Sequence, residues 1–302
     1  MIQNQKKVSA VIVTYNRLDL LKQSIEALLK QDYKLSHIIV VDNNSEKDTQ
    51  NYLESLGNQI DYLRLPENIG GAGGFNRGIR YFVEETEDDF LWIMDDDTIA
   101  HPDSLQAFME YQQQQPDFSF LASKVLWKDG SLAKMNLMGY MNGRRIPDSE
   151  NHVVETRNAT FVSLLLARDV IVEIGLPIVD FFIWGDDIEY TERAARIRPG
   201  YYVPSSQVTH ATKANVGSSL LNDSADRTPR YFYHYRNKMY YARQRKLYRK
   251  LRAEVRPWLD YFQILFSNTE NKKEKLAIIR KGVKAGLKFN PNVEKVEDKH
   301  LK

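Results

Sequence analysis

The chain has 302 residues, of which 42% are hydrophobic, so it can build a sizeable core and a globally disordered protein is excluded. It contains no cysteine, which excludes disulfides, cysteine nucleophiles and thiolate metal sites. The formal net charge is only +2, but residues 221–302 hold 21 Lys and Arg against 9 Asp and Glu, whereas the preceding residues hold 21 basic and 31 acidic groups.

This uneven charge predicts an acidic functional domain followed by a basic C-terminal region that can bind anionic surfaces. No apolar run approaches the ~18–20 residues that a membrane-spanning helix needs. The first apolar segment is also too short and too interrupted for a signal peptide. We therefore expect a cytoplasmic protein, peripheral at the inner face of the plasma membrane if it works at a membrane.

Strand and helix patterns alternate along the first hundred residues. Nearly continuous apolar runs predict buried strands at 8–15, 37–41, 60–65 and 90–94. Helical spacing predicts helices at 19–30 and 46–56, and a third that runs through Val83 after a glycine-rich turn. This alternation predicts an α/β fold with a doubly wound, mostly parallel sheet, in which ligands bind beyond the carboxyl ends of the strands.

The remaining chain predicts further elements and one boundary. We expect a helix over 101–115, strands and loops over 120–165, a helix-turn-helix over 169–197 and an extended segment over 200–210. A polar stretch at 214–228 marks the boundary. Beyond it, aromatic and basic residues alternate with helical character.

Three consecutive aspartates, Asp95, Asp96 and Asp97, end the fourth predicted strand. Such carboxylates repel one another and are costly to desolvate, so a hard divalent cation explains the cluster better than a solvated acidic turn does. Mg²⁺ or Mn²⁺ takes oxygen ligands and binds substrate phosphates as well. Alternate residues share a face, so we expect Asp95 and Asp97 to face the metal and Asp96 to point elsewhere, toward a ribose.

Polar residues at the other strand ends complete a predicted ligand edge. In the segment ENIGGAGGFNRG, glycines allow a backbone to approach a ligand closely, although a flexible turn is the plainer alternative. Asn76 stands where a dinucleotide-binding motif needs its last glycine, which argues against NAD. Asp42 can contact a base or a ribose, or simply cap a helix. The residues that we assign to ligand binding at this edge are Thr14, Tyr15, Asn16, Arg17, Asp42, Asn44, Asn68, Gly71, Gly73, Gly74, Asn76, Arg77 and Asp96.

A second acidic cluster lies in the segment WGDDIEY. Its carboxylates can be mere partners of a helix dipole, or they can include a general base for a nucleophilic hydroxyl. In the second reading Asp186 raises the pKa of its neighbour Asp187. Aromatic side chains before them can stack on a sugar. The residues assigned to the substrate that carries this hydroxyl are Phe182, Trp184 and Glu189. His210, after the extended segment, is either structural or a metal ligand.

In order, the segments VSAVIVTYNR, IIVVDNNS, NIGGAGGFNRG, WIMDDDT and FFIWGDDIEYTERA resemble family 2 glycosyltransferases of the GT-A fold over about residues 7–212. The resemblance implies inverting transfer from a nucleotide-diphosphate sugar to a glycan or lipid-linked glycan acceptor. It makes Asp95, Asp97 and His210 metal ligands for Mn²⁺ or Mg²⁺, and Asp42 the nucleobase contact. Asp187 becomes the catalytic base, with Asp186 beside it.

The same resemblance implies a division of the chain. Residues 1–215 would form the catalytic domain, in which 1–100 bind the nucleotide sugar and 101–215 provide acceptor binding and catalysis. Residues 216–302 would form a basic, aromatic-rich helical region. That region can bind an anionic membrane surface, or it can be a solvated helix packed on the catalytic body. No RNA-binding motif is present, so we expect no nucleic-acid partner.

A narrower resemblance concerns the donor sugar. The acidic motif, the later histidine and the segment YHYRN at 233–237 look like galactofuranosyltransferases, which use UDP-galactofuranose. This chain departs from their motif, because Gly185 is inserted between the tryptophan and the aspartates. Rhamnosyltransferases, which use dTDP-rhamnose, share much of the same motif pattern and remain the alternative. A nucleotidyltransferase would carry a glycine-rich loop after the first strand, where this chain reads TYNRLD. An inert sugar-nucleotide-binding protein would not need the aspartate pair.

Overall fold

The computed structural model describes residues 5–299, apart from the side chain of Arg249; residues 300–302 of the predicted helical region therefore lie outside the described residues. The predicted order of the first elements is confirmed. These elements are β1 (Val8–Thr14), α1 (Leu18–Leu29), β2 (His37–Asp42), α2 (Lys47–Ser55), β3 (Asp61–Arg64), α3 (Gly70–Glu85), β4 (Phe90–Asp95) and α4 (Ser104–Gln114). A short strand that was not predicted, β5 (Thr98–Ala100), lies between β4 and α4.

The second half of the chain contributes more strands and a group of helices. They are β6 (Phe120–Leu126), β7 (Val154–Thr156), β8 (Leu164–Ala167), α5 (Arg168–Ile174), α6 (Asp186–Ala194), β9 (Gly200–His210), α7 (Tyr231–Arg243), α8 (Leu247–Leu265) and α9 (Lys272–Lys288). Among the described residues, no helix combines the length and the apolar character needed to cross a membrane.

One sheet joins the strands in the order β3-β2-β1-β4-β8-β6-β9-β5, with β7 paired to β9. The predicted α/β class is confirmed, and β1 to β4 run parallel to one another. The sheet as a whole is mixed, because β8 runs antiparallel to both β4 and β6. A buried apolar run such as that of β8 has the same pattern in either direction, so the sequence alone could not give its orientation.

Helix α3 packs closely on the centre of the sheet through glycines. A Cβ atom on Gly74 would lie 2.3 Å from a methyl carbon of Val13, and one on Gly78 would lie 2.6 Å from Val11. The expectation of a glycine-rich turn is therefore wrong, because the helix already begins at Gly70. Helix packing explains Gly74 and Gly78, and this close contact fixes α3 against β1.

The C-terminal helices form a second packed layer. Tyr235, Met239, Ile279 and Val283 are buried together between α7 and α9. After α9 the chain returns to the sheet domain, where Val296 is buried in the main core. The backbone N–H of Leu176 donates to the carbonyl of Glu294 at 2.8 Å. The helical region is thus attached to the body by its last residues as well as by α7.

Candidate active site

The acidic cluster at the end of β4 meets the end of β9. Pairing of β5 with β9 places Thr98 opposite His210, which brings the histidine beside the preceding aspartates. The Nε2 atom of His210 lies 3.1 Å from Oδ1 of Asp97. One ligand atom each from Asp95, Asp97 and His210 lies within 4.8 Å of the others. Two carboxylates and one imidazole at this spacing fit a single divalent cation.

Polar neighbours hold these side chains in place. Asn136 lies with its Oδ1 atom 2.8 Å from Nδ1 of His210, which leaves Nε2 directed toward Asp97. Arg17 pairs with Asp97 at 2.5 Å and with Asp96 at 3.4 Å. Thr14 donates a hydrogen bond to Asp96 at 2.8 Å. Asp96 is therefore held by Thr14 at the end of β1, and Arg17 bridges it to Asp97.

The pKa values of the cluster reflect burial and mutual repulsion. Burial, with the charge of Asp97, raises the pKa of Asp95 to about 6, and burial raises the pKa of Asp96 to about 7. Burial opposes ionisation of Asp97 too, but His210 and Arg17 outweigh it and lower its pKa. For His210, burial is outweighed by the hydrogen bond and charge of Asp97, so its pKa is raised. Such a site gains from a cation that neutralises the excess carboxylate charge.

Asp186 and Asp187 begin helix α6, directly after Gly185. Burial raises the pKa of Asp187 to about 6, and burial with the charge of Asp187 raises the pKa of Asp186 well above its ordinary value. The charge of Asp95 contributes to raising the pKa of both Asp186 and Asp187, so the two acidic clusters are close enough to interact. Asp186 is buried, whereas Asp187 is partly exposed and accepts a hydrogen bond from the N–H of Ile188 at 2.7 Å. Asp187 is thus the more accessible of the two carboxylates.

The loop before these aspartates has an unusual backbone. Phe182, Trp184 and Gly185 all have positive φ angles, of 60°, 63° and 88°. Such angles are costly for side chains other than glycine, and they persist only when surrounding contacts impose them. Here the amide of Asn237 on α7 donates to the carbonyls of Phe181, Ile183 and Trp184 at 2.8–3.2 Å.

The same loop contacts the start of α3. The N–H of Ala72 donates to the carbonyl of Phe182 at 3.2 Å. A Cβ atom on Gly70 would lie 2.1 Å from that oxygen, and Gly70 also has a φ of 77°, so only glycine fits there. Asn43, which is buried, donates to the carbonyl of Gly70 at 3.0 Å and so joins the end of β2 to this contact.

Sequence reasoning missed three of these residues: Gly70, Asn136 and Asn237. Their partners are distant in sequence; Asn136 and His210, for example, are 74 residues apart. The positive φ of Gly70 also gives no sequence signal inside a run of glycines. Only the segment YHYRN, which ends at Asn237, pointed to one of them.

The predicted nucleotide-binding residues of the first two loops lie together. The buried carboxylate of Asp42 accepts hydrogen bonds from the hydroxyl of Tyr62 at 3.0 Å and from Arg64. Asn44 accepts from Arg64 at 2.9 Å. The N–H of Asn16 donates to the hydroxyl of Ser45 at 3.0 Å, which ties the two loops to each other. Tyr15 is exposed beside them.

The predicted donor residues on α3 separate into two groups. Asn68 accepts a hydrogen bond from the N–H of Gly70, the first residue of α3, at 2.9 Å, and a Cβ atom on Gly71 would meet open space. Arg77 is exposed. By contrast, Gly73 and Gly74 are buried, and Asn76 is buried with its Nδ2 atom donating to the carbonyl of Pro177 at 2.8 Å. The residues of this second group therefore lie on the buried side of α3 and pack it against the rest of the protein.

The predicted acceptor residues also differ in their surroundings. Phe182 stacks on Tyr233 with ring centroids 4.9 Å apart, and Trp184 packs edge-on against Tyr231 at the same centroid distance. The loop and α7 thus form one aromatic surface. Glu189 is buried, and Arg193 donates to both of its carboxylate oxygens, at 2.8 and 3.0 Å. This ion pair engages both oxygens of Glu189, and its assignment to the acceptor stays a prediction.

Comparison with known proteins gives consistent matches. The model of the family described as Glycosyl transferase family 2 matches residues 9–163. A galactofuranosyltransferase of Mycolicibacterium smegmatis is 26% identical over 279 residues, which is 84% of this chain and 88% of that protein.

Two solved structures share the fold at lower identity. TarS of S. aureus superposes with a TM-score of 0.55 and 16% identity, over 94% of this chain but 44% of TarS, so this chain spans less than half of that protein. GalNAc-T7, solved with UDP, GalNAc and Mn²⁺, superposes with a TM-score of 0.58 and 14% identity over 78% of this chain and 48% of that one. Both are glycosyltransferases of the GT-A fold, so the predicted fold class is confirmed.

Proposed function

We propose a donor and a mechanism from the premise that this chain belongs to glycosyl transferase family 2 and is a glycosyltransferase. The donor that we propose is UDP-galactofuranose, because the M. smegmatis galactofuranosyltransferase matches most of both chains. The acceptor that we propose is a hydroxyl of a glycan or of a lipid-linked glycan. In this proposal residues 1–215 form the catalytic domain, and residues 216–302 form a helical region that packs on it.

A single observation supports the mechanism most strongly. The group formed by Asp95, Asp97 and His210 lies close enough to the partly exposed Asp187 for the charge of Asp95 to raise its pKa. A metal-assisted inverting transferase needs these two parts side by side, since the leaving diphosphate and the attacking hydroxyl act on the same anomeric carbon. We therefore assign the first three residues to the metal and Asp187 to the acceptor hydroxyl.

The chain's own residues would perform the following steps. Asp95, Asp97 and His210 would hold Mn²⁺ or Mg²⁺, which when bound neutralises charge that develops on the diphosphate leaving group. Asp187 accepts the proton of the acceptor hydroxyl, whose oxygen forms the new bond to the anomeric carbon. The bond from that carbon to the diphosphate oxygen breaks, and its electron pair leaves with the nucleoside diphosphate. Configuration inverts because attack comes from the opposite face.

The remaining polar residues position the donor in this proposal. The ends of β1 and β2 would receive the nucleoside, where Tyr15 is exposed and Asp42 is fixed by Tyr62 and Arg64. Arg17, which already pairs with two aspartates of the cluster, adds positive charge beside the diphosphate. The aromatic surface that includes Phe182 and Trp184 would pack against a sugar ring.

A donor panel tests the proposal. The purified protein with Mn²⁺ or Mg²⁺ is incubated separately with UDP-galactofuranose, UDP-galactopyranose, UDP-glucose and dTDP-rhamnose, and release of UDP or dTDP is measured. We expect release from UDP-galactofuranose alone, abolished by EDTA and by Asp97→Ala. The matched control is Asp48→Asn, an exposed aspartate on α2, which should retain wild-type release. Preference for dTDP-rhamnose would replace the donor, and release that persists in EDTA would overturn the metal assignment.

A further inference from the structure

We propose that the outer face of α8 is a docking surface for an anionic lipid membrane. This outer face comprises the apolar residues Leu247, Leu251, Val255, Trp258, Leu259 and Phe262, together with Phe266, which follows the helix. Their spacing of three and four residues places them along one side of a helix. Each side chain is between 44% and 83% exposed.

The opposite side of α8 is already packed. Ala253, Pro257 and Ile264 are buried, and Ile264 belongs to the cluster formed with α7 and α9. The helix is therefore held in the protein by one face while presenting the other. The apolar residues of the outer face are therefore not needed to hold α8 in the protein.

The outer face is also exceptional within this protein. Of the fifteen large hydrophobic side chains that are exposed among the described residues, nine lie between residues 247 and 266. The others are scattered over several elements, as is normal for a soluble surface. A contiguous exposed apolar patch marks an interaction site with a protein or a membrane.

Charge distinguishes these two kinds of partner. Lys246, Arg252 and Arg256 are exposed beside the outer face. The acidic residues of α8 are less exposed than these cations: Glu254 and Asp260 are only partly exposed, and Asp260 pairs with Arg256 at 3.1 Å and accepts a hydrogen bond from the buried Tyr235 at 3.3 Å. The rim is therefore basic, and it belongs to a region that carries a net charge of +12 by sequence.

A basic rim favours lipid over a second copy of the chain. In a two-fold dimer the same surface meets itself, so the cations would face one another across the apolar patch. An anionic bilayer instead offers hydrocarbon to the apolar residues and phosphate to the cations. A helix with this distribution, with Trp258 and Phe262 on the apolar side, lies in the plane of the membrane interface.

The position of α8 connects this surface with the proposed function. It packs on α7, and α7 supplies Asn237, which holds the loop before Asp186 and Asp187. Docking through α8 would thus bring the transferase to an acceptor held in a membrane. The docking itself does not depend on the donor or the reaction, so the two proposals can fail separately.

Vesicle flotation of the full chain tests the proposal. The vesicles contain either phosphatidylcholine alone or phosphatidylcholine with about a third phosphatidylglycerol. We expect the protein to float with the anionic vesicles and to bind the neutral ones at least tenfold more weakly. The triple variant Leu251→Ser, Leu259→Ser, Phe262→Ser should bind anionic vesicles at least tenfold more weakly than wild type. These side chains are exposed, so the variant should keep the wild-type melting temperature.

Matched variants separate the docking surface from general surface effects. Leu29→Ser, Val216→Ser and Leu287→Ser together remove three exposed apolar side chains elsewhere and should leave flotation within twofold of wild type. The pair Lys246→Gln and Arg252→Gln should weaken binding several-fold and reduce its dependence on salt. All three variants should release UDP from the donor in solution at the wild-type rate.

Two results would overturn the proposal. The first is wild-type protein that stays at the bottom of the gradient with anionic vesicles, or that floats equally with neutral ones. The second is a wild-type dimer, measured by light scattering, that the outer-face triple variant converts to monomer without changing flotation. The latter result would assign the surface to a second copy of the chain.

Discussion

Asp186 and Asp187 are adjacent in the sequence, yet the fold gives them different surroundings. Asp186 is buried, and burial with the charge of its neighbour raises its pKa well above the ordinary range. Asp187 is more exposed, and burial raises its pKa to about 6. A base with that pKa is mostly deprotonated at neutral pH while remaining a better proton acceptor than a solvated carboxylate.

The first prediction follows from this pKa. Transfer requires ionised Asp187, so kcat/KM should rise with pH and level off above the pKa of this residue; a bound cation offsets the charge of Asp95, so at saturating cation the midpoint should lie at or below about 6. A raised pKa means that the active form is lost as pH falls, not as it rises. Asp187→Asn should lower transfer by at least about 100-fold and leave donor affinity within a few-fold of wild type. Pre-steady-state transfer rates from pH 5 to 8, with calorimetry for donor binding, provide the measurement; a flat wild-type profile would contradict the assignment.

The second prediction concerns Asn136, whose Oδ1 atom lies 2.8 Å from Nδ1 of His210. A partner on the outer nitrogen fixes the orientation of a metal-binding imidazole, and its loss typically costs about 10–100-fold in metal affinity. We expect Asn136→Ala to weaken Mn²⁺ binding by about tenfold, measured by titration calorimetry. Asn142→Ala, at an exposed position in the same segment, serves as the control. An unchanged Mn²⁺ affinity in Asn136→Ala would assign Asn136 to packing alone.

At the level of single residues, the sequence predicts the proposed catalytic and metal-binding groups better than the groups that position them. Asp95, Asp97 and Asp187 stand in local patterns, directly after a strand or at the start of a helix. Asn136 and Asn237 have no such pattern, because an isolated asparagine looks the same on a surface as beneath a catalytic loop. Only the folded chain shows that each has buried partners far away in the sequence.

Among the elements, α7 and the loop before α6 act together. Asn237 donates to three carbonyls of that loop, in which Phe182 and Trp184 have positive φ angles. Neither residue type favours such angles, so contacts from outside the loop must maintain them. The loop leads directly to Asp186 and Asp187. We therefore regard Asn237 as a positioning residue for the proposed base.

The third prediction tests this role. Asn237→Ala leaves buried carbonyls without a donor, so we expect a loss of about 2–3 kcal/mol in the free energy of unfolding. In protein that remains folded, kcat should fall at least tenfold while donor affinity falls less, because Asn237 itself bonds only the loop carbonyls and none of the predicted nucleotide-binding residues. Asn268→Ala, at an exposed position after α8, is the matched control. A lowered melting temperature with unchanged kcat would mean that Asn237 supports the fold only.

The elements themselves were largely predictable, since the buried strands and amphipathic helices of the first half have clear periodicities. Helix α3 is the instructive exception. Its glycines predicted a turn because glycine usually interrupts helices, but here Gly74 and Gly78 allow the helix to lie against β1. Local propensity was overridden by packing, and sequence alone gives no measure of the space between a helix and a sheet.

At the scale of the whole molecule, the basic C-terminal region is part of the packed body and not a loose tail. Its last described residues contact α3, α5 and the main core. Glu294 pairs with Arg80 at 2.5 Å, and Val296 is buried. Asp298 pairs with Arg168 at 3.1 Å, and both side chains are at least nine-tenths buried. Deleting residues 228–302, which include α7, α8 and α9, would therefore expose core surface. Point variants on α8 are the better test of membrane docking.

The fourth prediction follows from this attachment. Deleting residues 291–302 removes the partner of a buried arginine, and breaking such a pair typically costs about 3–5 kcal/mol. We expect a loss of at least that size in the free energy of unfolding, measured in urea, with the midpoint shifted and the transition still cooperative. Glu297→Gln, at an exposed site within the same segment, should leave the free energy of unfolding unchanged.

The same deletion should also affect the transfer rate. Because Arg168 also donates to the carbonyls of Phe82 and Thr86 at the end of α3, its release should loosen α3. Since the other end of α3 contacts the loop that carries the proposed base, the truncated chain should lose transfer rate as well as stability, whereas an unchanged rate would show that the two ends of α3 are independent.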